Sequence, residues 1–332
     1  MNSDFNQMEE MVSRPLVSVA VMTYNQERYV RKAVASILDQ TYNNIEVIIS
    51  DDHSTDGTWD VILDEIGKRH LDDQSVVMLN RNTDNMGVAK HFEWIISQCH
   101  GEFVVCQAGD DVSYPDRIEK IVAAYCRNKN ATVVCHKSNC IDVDGHPTGH
   151  INTTSAFQPL GAMMAYSRRV ATEFEPISEQ GAWEDDVYAR RAQMLGEEIR
   201  LDSVLMDYRV GGSGISSGKD KTSERRIRVS RGCLASARQS RKDLEFCRKK
   251  IGEPKFCEVL AIIDRYERFY SNEYKMYSGS TYWERINAFN ELYKGRNIFS
   301  YVNGFVELML PRWVSVLFKP VKWVIRTGLR RQ

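Results

Sequence analysis

The chain has 332 residues, of which 42% are hydrophobic and 27% charged, and its formal net charge is −1. This composition is ordinary for a globular protein with one large domain and an appendage, and the near-zero charge gives no overall field that would attract nucleic acid. Eight cysteines without a CxxC pair favour a reducing cytoplasm, and the polar opening "MNSDFNQMEEMVSR" lacks the apolar core of a signal peptide. No apolar run approaches the length of a membrane span. We therefore expect a cytoplasmic protein that does not bind nucleic acid.

The first part of the chain alternates between apolar runs and amphipathic stretches. Apolar runs predict five strands, in the order "LVSVAVMTY", "NIEVIIS", "SVVMLN", "EFVVCQ" and "ATVVCHK". Helical periodicity predicts the four segments between them, "ERYVRKAVASILDQ", "GTWDVILDEIGKRH", "VAKHFEWIISQC" and "DRIEKIVAAYC". This alternation predicts an α/β fold whose mostly parallel sheet is covered by helices on both faces.

The alternation stops after about Gly145. The segment "GHPTGHINTTSAFQ" predicts a polar loop, and "PLGAMMAYSRRVATEF" and "WEDDVYARRAQMLG" both have a helical pattern. "EIRLDSVLMDYRV" predicts a late strand, and "GGSGISSG" a flexible loop. From about Lys219 the chain is charged and predicted to be helical to its end.

Two polar clusters follow the first two predicted strands, where ligands of such sheets bind. In "SDDHSTDGT" Ser54, Thr55 or Asp56 is expected to cap the next helix, but one cap does not also require Asp51 and Asp52. A carboxylate at this place can accept a hydrogen bond from a nucleobase. Tyr24, in "TYN" after the first strand, could lie flat against the same base. Together these residues outline a pocket for a nucleobase.

The sequence "AGDDVSYPDR" follows the fourth predicted strand. Its spacing makes Asp116 the expected helix cap, since Pro115 ends the loop just before the helix. That leaves Asp110 and Asp111, two adjacent carboxylates, without a structural task. A hard divalent cation, Mn²⁺ or Mg²⁺, prefers carboxylate oxygens and keeps positions open for phosphates. We predict a metal here that neutralises the charge of a diphosphate leaving group.

A third acidic cluster, "WEDD", opens a predicted helix. Acidic residues in a first helical turn are stabilised by the helix dipole, and this alone would explain why three acids occur here. The functional interpretation is that one of Glu184, Asp185 and Asp186 acts as a general base. Successive helical residues point about 100° apart, so the three carboxylates cannot all face one spot. Trp183 could form an apolar wall beside them.

The motifs occur in an order that is similar to glycosyltransferase family 2 enzymes with the GT-A fold. The resemblance begins with "VSVAVMTYNQERYVRKAVASILDQTYNNIEVIISDDHSTDGT". It continues with "NRNTDNMGVAKH", "AGDDVSYPDRI", "LGAMMAYSRRV", "WEDDVYARR" and "DYRVGGSGIS", and it covers roughly residues 16–217. Six motifs in order are far more specific than any one of them. In outline the chain resembles the bacterial enzymes of O-antigen and capsule polysaccharide synthesis.

The resemblance implies a domain organisation. Residues 1–15 would be a polar tail, and residues 16–217 a catalytic domain with a nucleotide-sugar half (16–112) and an acceptor half (113–217). Residues 218–332 would form a C-terminal helical region. The fold would be a Rossmann-like mixed sheet with helices on both faces, followed by that helical extension.

The resemblance also implies roles for particular residues. Asp52 would contact the base, Tyr24 would stack on it, and Asp185 would deprotonate the acceptor hydroxyl in a single inverting displacement. Asp111 would be the main metal ligand and Asp110 would serve the metal and the ribose. The remaining residues of the implied nucleotide-sugar site are Thr23, Asn25, Asn85 and Gly87.

The sequence departs from the family pattern in two places, and other functions remain open. "GDD" replaces a spaced DXD motif, and Asp186 extends the usual "ED" pair, so a shift of one residue in the base is possible. A sugar nucleotidyltransferase would carry a glycine-rich basic loop after the first strand, where this chain has "TYNQERY". A dinucleotide-binding oxidoreductase would need G-x-G-x-x-G there, which is missing. A non-catalytic protein that binds nucleotide-sugars or glycans would not need both acidic clusters.

The partners are predicted from the acceptor half and the tail. Residues 142–157, Trp183 and Arg209 are expected to select the acceptor, a glycan or an undecaprenyl-diphosphate-linked sugar, and the family habit suggests a UDP-sugar donor. In the tail "RWVSVLFKPVKWVIRTGLRRQ", residues 311–332 hold six cations and no acid. On a helical projection the cations and the apolar residues separate into two faces, which predicts binding to an anionic membrane surface, although Pro320 would kink the helix. A helix packed on the catalytic domain is the alternative. The expected location is the inner face of the cell membrane.

Overall fold

A computed structural model describes residues 14–69, 76–154, 159–211, 223–279 and 281–294. The described chain begins with a strand and ends with a helix, and strands and helices alternate through its first half. The strands are β1 (Val17–Thr23), β2 (Ile45–Asp51), β3 (Val76–Arg81), β4 (Phe103–Ala108), β5 (Val112–Ser113), β6 (Ala131–Ile141), β7 (Pro147–Thr153), β8 (Met164–Ser167) and β9 (Glu197–Arg209).

Helices connect the strands and then form the C-terminal part of the described chain. A short 3₁₀ segment, Gly161–Met163, leads into β8. The α-helices are α1 (Val30–Leu38), α2 (Thr58–Gly67), α3 (Val88–Ser97), α4 (Arg117–Arg127), α5 (Arg169–Thr172), α6 (Glu184–Leu195), α7 (Ser223–Ser278) and α8 (Tyr282–Tyr293). Gly252, at φ 77°, interrupts α7, which is therefore two helical segments joined at a kink.

The strands form one mixed sheet in the order β3-β2-β1-β4-β8-β6-β9-β5, with β7 paired to β6. β1 pairs in parallel with β2 and with β4, and β2 pairs in parallel with β3. The four strands of the predicted nucleotide-sugar half therefore form a parallel block whose carboxyl ends share one edge. The antiparallel strand β8 joins this block to β6 and β9, which run parallel to each other.

Apolar residues cover both faces of the sheet, as the sequence predicts. On one face α1, α2 and α4 pack on strand residues such as Val19 and Val105, and on the other α3 and α6 pack on Ala20 and Cys106. Buried apolar residues of this kind each contribute about 1.5–3 kcal/mol when removed from water. The predicted α/β class, with a mixed sheet between two helical layers and a C-terminal helical extension, is confirmed.

Two predictions about the segment after Gly145 are wrong. The predicted loop "GHPTGHINTTSAFQ" contains β7, which forms a hairpin with β6. The segment "PLGAMMAYSRRVATEF" has the pattern of one helix, but it holds the 3₁₀ turn, β8 and the short α5. Alanine and methionine favour a helix, but the sheet places an apolar strand between β4 and β6 at this point, and pairing on both sides outweighs local propensity.

The described chain forms two compact units. The first comprises the described residues up to 211 together with Ala235–Ala261, and the second comprises residues 223–234 and the described residues from Ile262 onward. Within the first unit a buried ion pair ties α7 to α6, since Arg191 Nε donates to Asp243 Oδ2 over 2.7 Å. Among the described residues, no helix is both long enough and apolar enough to cross a membrane.

All eight cysteines lie in the described residues and none is in a disulfide. Cys106 and Cys135, which stand in predicted apolar strands, are buried free thiols. Burial raises the pKa of both thiols, so both stay protonated and unreactive at neutral pH. Cys257 is exposed, and Cys126 is partly exposed.

Candidate active site

The polar clusters predicted from the sequence meet at the carboxyl edge of the parallel block. The N–H of Asp52 donates to the carbonyl of Thr23 over 2.9 Å, which joins the ends of β2 and β1. The N–H of Gly109 donates to the carbonyl of Met22 over 2.9 Å, which joins the ends of β4 and β1. The loops that carry Tyr24, Asp52 and Asp110 therefore start from adjacent strands.

Asp51 and Asn25 brace these loops. The Asp51 carboxylate is fully buried and accepts hydrogen bonds from the N–H and the hydroxyl of Ser54, and from Thr23 Oγ1 at 3.2 Å. Asn25 Oδ1 accepts the N–H of Thr55 over 2.8 Å. Asn25 has φ 51° and His53 has φ 60°, a left-handed conformation that non-glycine residues adopt rarely and mostly where function or packing holds them.

Gly57, and none of the predicted residues Ser54, Thr55 and Asp56, occupies the N-cap position of α2, although Asp56 binds the start of the helix from the position before it. Asp56 Oδ1 accepts the N–H of Thr58, the first residue of α2, over 3.0 Å. The corresponding prediction for α4 is only half right. Asp116 occupies the N-cap position, but its side chain makes no capping hydrogen bond and instead pairs with Lys120 at 2.7 Å, one helical turn onward.

Asp52 lies beneath the loop between β3 and α3. Its Oδ1 accepts Asn82 Nδ2 and the N–H of Met86, each over 2.8 Å, and its Oδ2 accepts the N–H of Gly87 over 3.0 Å. Asn85 Nδ2 donates to the Asp52 carbonyl over 3.1 Å. Since a carboxylate oxygen has two lone pairs, Oδ2 can accept one further N–H. The structure thus brings together Asp52, Asn85 and Gly87, all three predicted for the nucleotide-sugar site.

Tyr24 and Thr23 differ in exposure. Thr23 is buried, and its hydroxyl donates to the Ser50 carbonyl and to Asp51, so its described contacts brace the strand end. The Tyr24 side chain is 43% exposed at the same edge of the sheet. An exposed aromatic ring beside a buried carboxylate suits the stacking role predicted for Tyr24.

Asp110 and Asp111 are both buried at the end of β4. Asp111 Oδ1 accepts the N–H of Arg209 over 2.8 Å, whereas Asp111 Oδ2 is buried without a hydrogen-bond partner among the described residues. Burial, and secondly the charge of Asp110, raises the pKa of Asp111 well above its usual range, and burial also raises the pKa of Asp110. A desolvated carboxylate oxygen of this kind is a ready ligand for a hard cation.

Arg209, predicted for the acceptor site, makes its described contacts around the acidic pair. Its Nε donates to the carbonyl of Asp110 over 3.0 Å, and its Nη1 donates to the carbonyl of Asp142 over 2.7 Å. The guanidinium lies 4.4 Å from the ring centre of Tyr29, a cation–π distance. The side chain therefore adds positive charge beside Asp110 and Asp111.

The acids of α6 form the second desolvated cluster. Burial raises the pKa of Glu184 to about 7, and burial together with the charges of Glu184 and Asp186 raises the pKa of Asp185 well above its usual range. Asp185 accepts the N–H of Asp186 and a backbone hydrogen bond from Gly161. Glu184 Oε2 is buried without a hydrogen-bond partner in the described chain. Asp186 is more deeply buried than its two neighbours.

Trp183 stands just before this cluster. It occupies the N-cap position of α6, its side chain is partly exposed, and its N–H donates to Ser236 Oγ over 2.8 Å. A partly exposed indole next to Glu184 and Asp185 is compatible with the apolar wall that the sequence predicts.

The structure adds site residues that the sequence reasoning missed. Asn82 binds Asp52, and Gly161 binds Asp185. Gln107 donates to the carbonyl of Asp111, and the fully buried Arg117 donates to Gln107. A signal for Arg117 exists in the sequence: it precedes Ile121 and Ala124 on the buried face of α4, at a helical spacing where an apolar residue is expected.

A second group of potential cation ligands lies in the turn between β6 and β7. Single ligand atoms of Asp142, Asp144 and His146 lie within 4.8 Å of one another. Asp142 Oδ1 accepts the N–H groups of Asp144 and His146, each over 2.9 Å, and Asp144 pairs with Arg28. These contacts account for the turn itself, because an aspartate that binds backbone N–H groups ahead of it is a common turn device.

Residues 18–180 match the family model described as "Glycosyl transferase family 2". The chain is 37% identical over 124 residues to the putative glycosyltransferase EpsE of Bacillus subtilis, a match that covers 37% of this chain and 43% of EpsE. It is 26% identical over 238 residues to an uncharacterized glycosyltransferase of Nostoc, a match that covers 65% of this chain and 71% of the Nostoc protein. The chain thus spans about two fifths of EpsE and about seven tenths of the Nostoc protein.

Solved structures share the fold at low identity. The mannosyltransferase PcManGT of Pyrobaculum calidifontis, in complex with GDP-Man and Mn²⁺, has a TM-score of 0.60 at 16% identity and covers 96% of this chain and 83% of that one. S. aureus TarS 1-349 in complex with UDP-GlcNAc has a TM-score of 0.56 at 18% identity, and the match covers 94% of this chain and 87% of the TarS chain. These likenesses agree with the GT-A fold. The chain therefore contains, at residues 18–180, a domain that matches the glycosyltransferase family 2 model, and its described fold agrees with the GT-A fold.

Proposed function

We propose that the protein is an inverting glycosyltransferase that moves a sugar from a nucleotide-diphosphate donor to a hydroxyl group of an acceptor. The observation that carries this proposal is the convergence of two desolvated carboxylate clusters on β4. Asp110 and Asp111 follow that strand, and Arg117 joins the carbonyl of Cys106 within it to the 3₁₀ segment whose Gly161 binds Asp185. One cluster suits the diphosphate end of the reaction, and the other suits the acceptor hydroxyl.

The donor is a UDP-sugar in this proposal. Tyr24 stacks on the base, Asp52 Oδ2 accepts its N–H, and the loop of Asn85 and Gly87 closes around the same carboxylate. TarS, a structural neighbour, was solved with UDP-GlcNAc, which makes that compound the first donor to test. PcManGT was solved with GDP-Man, so guanosine donors belong in the same screen.

The acidic pair fits a divalent metal, Mn²⁺ or Mg²⁺. The fit rests on Asp111 Oδ2, a buried oxygen without a partner in the described chain, beside a second buried carboxylate, Asp110. When bound there by Asp111 and Asp110, the metal would neutralise the negative charge of the leaving diphosphate. The Arg209 guanidinium adds positive charge at the same place.

The α6 cluster supplies the base. The acceptor oxygen attacks the anomeric carbon as the bond from that carbon to the diphosphate breaks, and the acceptor proton passes to the Asp185 carboxylate. The nucleoside diphosphate leaves, and the configuration at the anomeric carbon inverts. A carboxylate whose pKa is raised toward neutrality is a stronger base than an exposed one, and a positioned base contributes about 10²–10⁴-fold to such a step.

Two other functions fit the site less well. A nucleotidyltransferase would use the nucleotide half and the metal pair, but it would have no use for a second desolvated carboxylate cluster at β4. A non-catalytic protein that binds nucleotide-sugars would gain nothing from keeping Glu184 and Asp185 out of water, since desolvating acids destabilises the fold. Turnover of a nucleotide-sugar, with and without metal, separates all three functions.

The decisive experiment is a donor screen by mass spectrometry with Mn²⁺, Mg²⁺ or EDTA. We expect release of nucleoside diphosphate from one donor class, loss of that release in EDTA, and loss in Asp111→Ala with the fold intact. Asp202→Ala removes a fully exposed carboxylate from β9 and is the matched control. Full activity in EDTA or in Asp111→Ala would disprove the proposed metal role. If no donor is turned over, the proposed glycosyltransferase activity is wrong.

The base is tested by isosteric amides. Asp185→Asn should lose at least about 10²-fold in kcat while it still binds nucleotide, because a positioned carboxylate carries that much of the proton transfer. If Asp186→Asn is inactive and Asp185→Asn is nearly normal, the base lies one residue later than proposed.

The acceptor is a glycan or a lipid-linked sugar such as an undecaprenyl-diphosphate-linked one, as in cell-surface polysaccharide synthesis. The described part of the segment 142–157 includes the hairpin strand β7, which is exposed along most of its length. This segment and Trp183 are proposed to select the acceptor. Swapping residues 142–157 for those of a relative should change the accepted glycan without changing the accepted donor.

A further inference from the structure

Arg117 is a fully buried cation whose role the proposed reaction leaves unexplained. It is the first residue of α4, and all five N–H groups of its guanidinium face acceptors that carry no charge. The hydrogen bonds run from Nε to His136 Nε2 (3.0 Å), from Nη1 to Gln107 Oε1 (2.9 Å) and Ser113 Oγ (2.8 Å), and from Nη2 to the carbonyls of Cys106 (2.9 Å) and Ala162 (2.7 Å).

Such an arrangement is costly for the fold. Burial lowers the pKa of Arg117 to about 10, so the side chain is still charged at neutral pH. Burial and the neighbouring Arg117 charge lower the pKa of His136 to about 3, so the imidazole is neutral and can accept the Nε hydrogen bond. A buried cation that binds only neutral groups stabilises a fold less than an apolar side chain of similar volume would. This indicates that Arg117 has a role other than stabilising the fold.

The acceptors of Arg117 lie beside both carboxylate clusters. Gln107, which receives Nη1, donates its own Nε2 hydrogen bond to the carbonyl of Asp111 over 2.9 Å. Ala162, which receives Nη2, belongs to the 3₁₀ segment whose Gly161 binds the Asp185 carboxylate. A Cβ atom placed on Gly161 would lie only 3.4 Å from Asp185 Cβ, so the 3₁₀ segment passes close to Asp185.

We propose that Arg117 is a positioning residue that holds the loop of Asp111 and the 3₁₀ segment beneath Asp185 in one rigid arrangement, and so fixes the spacing between the donor diphosphate and the base. The inference rests on the proposed function and adds a residue to it. A planar guanidinium suits this task because its five donors point in fixed directions. A lysine ammonium has three donors on a flexible stem and can satisfy only part of the set.

Arg117→Lys should therefore separate binding from chemistry. With UDP-GlcNAc, or the donor found in the screen, as substrate and water as acceptor, we expect kcat to fall at least tenfold while the donor KM changes less than threefold. Binding of UDP with Mn²⁺, measured by calorimetry, should also change less than threefold. Arg191→Lys is the control, since it shortens a buried arginine of α6 that pairs with Asp243, and its kcat should stay within threefold of wild type.

A second variant leaves Arg117 itself unchanged. Gln107→Glu keeps an oxygen on Arg117 but removes the N–H that binds the Asp111 carbonyl, so it should also lower kcat at least tenfold without raising the donor KM. The proposal is overturned if both variants keep wild-type kcat, or if kcat and donor binding fall together in both. A wild-type protein that turns over no donor would instead overturn the proposed function, and this inference with it.

Discussion

At the scale of single residues, desolvation is the main influence on the titration of this site. Asp110, Asp111, Glu184 and Asp185 all have raised pKa values, with burial as the largest cause in each case. A general base with a raised pKa loses its proton at a higher pH than an exposed carboxylate does, so turnover should depend on pH. The two α6 carboxylates are also close enough for the charge on one to raise the pKa of the other.

This coupling predicts the pH profile of turnover. The rate should rise with pH as the base loses its proton. Glu184→Gln removes a charge that raises the pKa of Asp185, so it should move the acid limb of the kcat profile to lower pH. The measurement is kcat for one donor between about pH 5 and 9. Glu119→Gln, an exposed carboxylate of α4, is the control, and an acid limb that does not move in Glu184→Gln would contradict the coupling.

Close packing at a glycine gives a second prediction at this scale. A Cβ atom on Gly109 would lie 2.7 Å from Thr23 Cγ2 and would also overlap the Gln26 side chain. Gly109→Ala should therefore push apart the ends of β1 and β4 and destabilise the protein by about 1–3 kcal/mol. Urea unfolding measures the change. Gly67→Ala, at the end of α2 with nothing within 4 Å, should be neutral or stabilising, and equal effects of the two variants would contradict the packing argument.

At the scale of elements, the sequence predicts most of the parallel block and less of the chain after β6. Strands β1 to β4 are apolar runs between amphipathic helices, and that pattern alone indicates a parallel sheet. β7 and β8 escape prediction for different reasons. β7 is almost wholly exposed and has no apolar pattern, and β8 is a four-residue strand whose partners, β4 and β6, lie far away in the chain.

The candidate site is predictable to a similar degree. Acids at strand ends and at the start of α6 stand in motifs, so the sequence predicts Asp52, Asp110, Asp111 and Asp185. The groups that hold them are harder to identify, because Asn82 and Gly161 lie in other quoted motifs and nothing in the sequence pairs them with Asp52 and Asp185. The sequence assigns Arg209 to the acceptor, and only the three-dimensional structure reveals its contacts with Asp110 and Asp111.

A polar link at the opposite edge of the sheet predicts acid sensitivity. Glu46 in β2 accepts hydrogen bonds from Ser18 in β1 and from the N–H groups of His100 and Gly101, just before β4. Burial raises the pKa of Glu46, but these hydrogen bonds outweigh it and leave the pKa below its ordinary value. A depressed carboxylate pKa stabilises the folded state above the unfolded pKa, and this contribution is lost as pH falls through the folded pKa.

Glu46→Gln should therefore lower the free energy of unfolding at pH 7 by about 1–3 kcal/mol, since charge-assisted hydrogen bonds are weakened. Its stability should also fall less steeply than that of the wild type below about pH 5. Urea unfolding across pH tests both points, with the exposed Glu258→Gln as control. Parallel pH profiles for wild type and Glu46→Gln would show that another group controls acid unfolding.

At the scale of the whole molecule, the proposed lipid-linked acceptor requires a contact between the protein and a membrane surface. The basic amphipathic tail, residues 311–332, lies outside the described residues, so its proposed membrane role rests on the sequence. Anionic lipid attracts each surface cation by about 1 kcal/mol, and the tail has six cations and no acid. The tail is therefore proposed as the contact with an anionic membrane surface.

Liposome flotation tests the tail directly. The full-length chain should float with anionic vesicles at low salt, should not float with neutral ones, and should lose most of its binding at high salt because the attraction is screened. A chain that ends at Leu310 is the comparison. Equal flotation of the shortened chain, or no binding by the full-length chain, would assign the tail to packing within the protein.

The distribution of the cysteines makes the native chain a ready reagent for single-site labelling. Only Cys257, on α7, is exposed, Cys126 is partly covered, and the other six thiols are buried. A maleimide dye should therefore attach once per folded chain within minutes, and eight times after denaturation. A fluorophore or spin probe could then follow donor binding or vesicle docking in the wild-type protein, without removing any cysteine by mutagenesis.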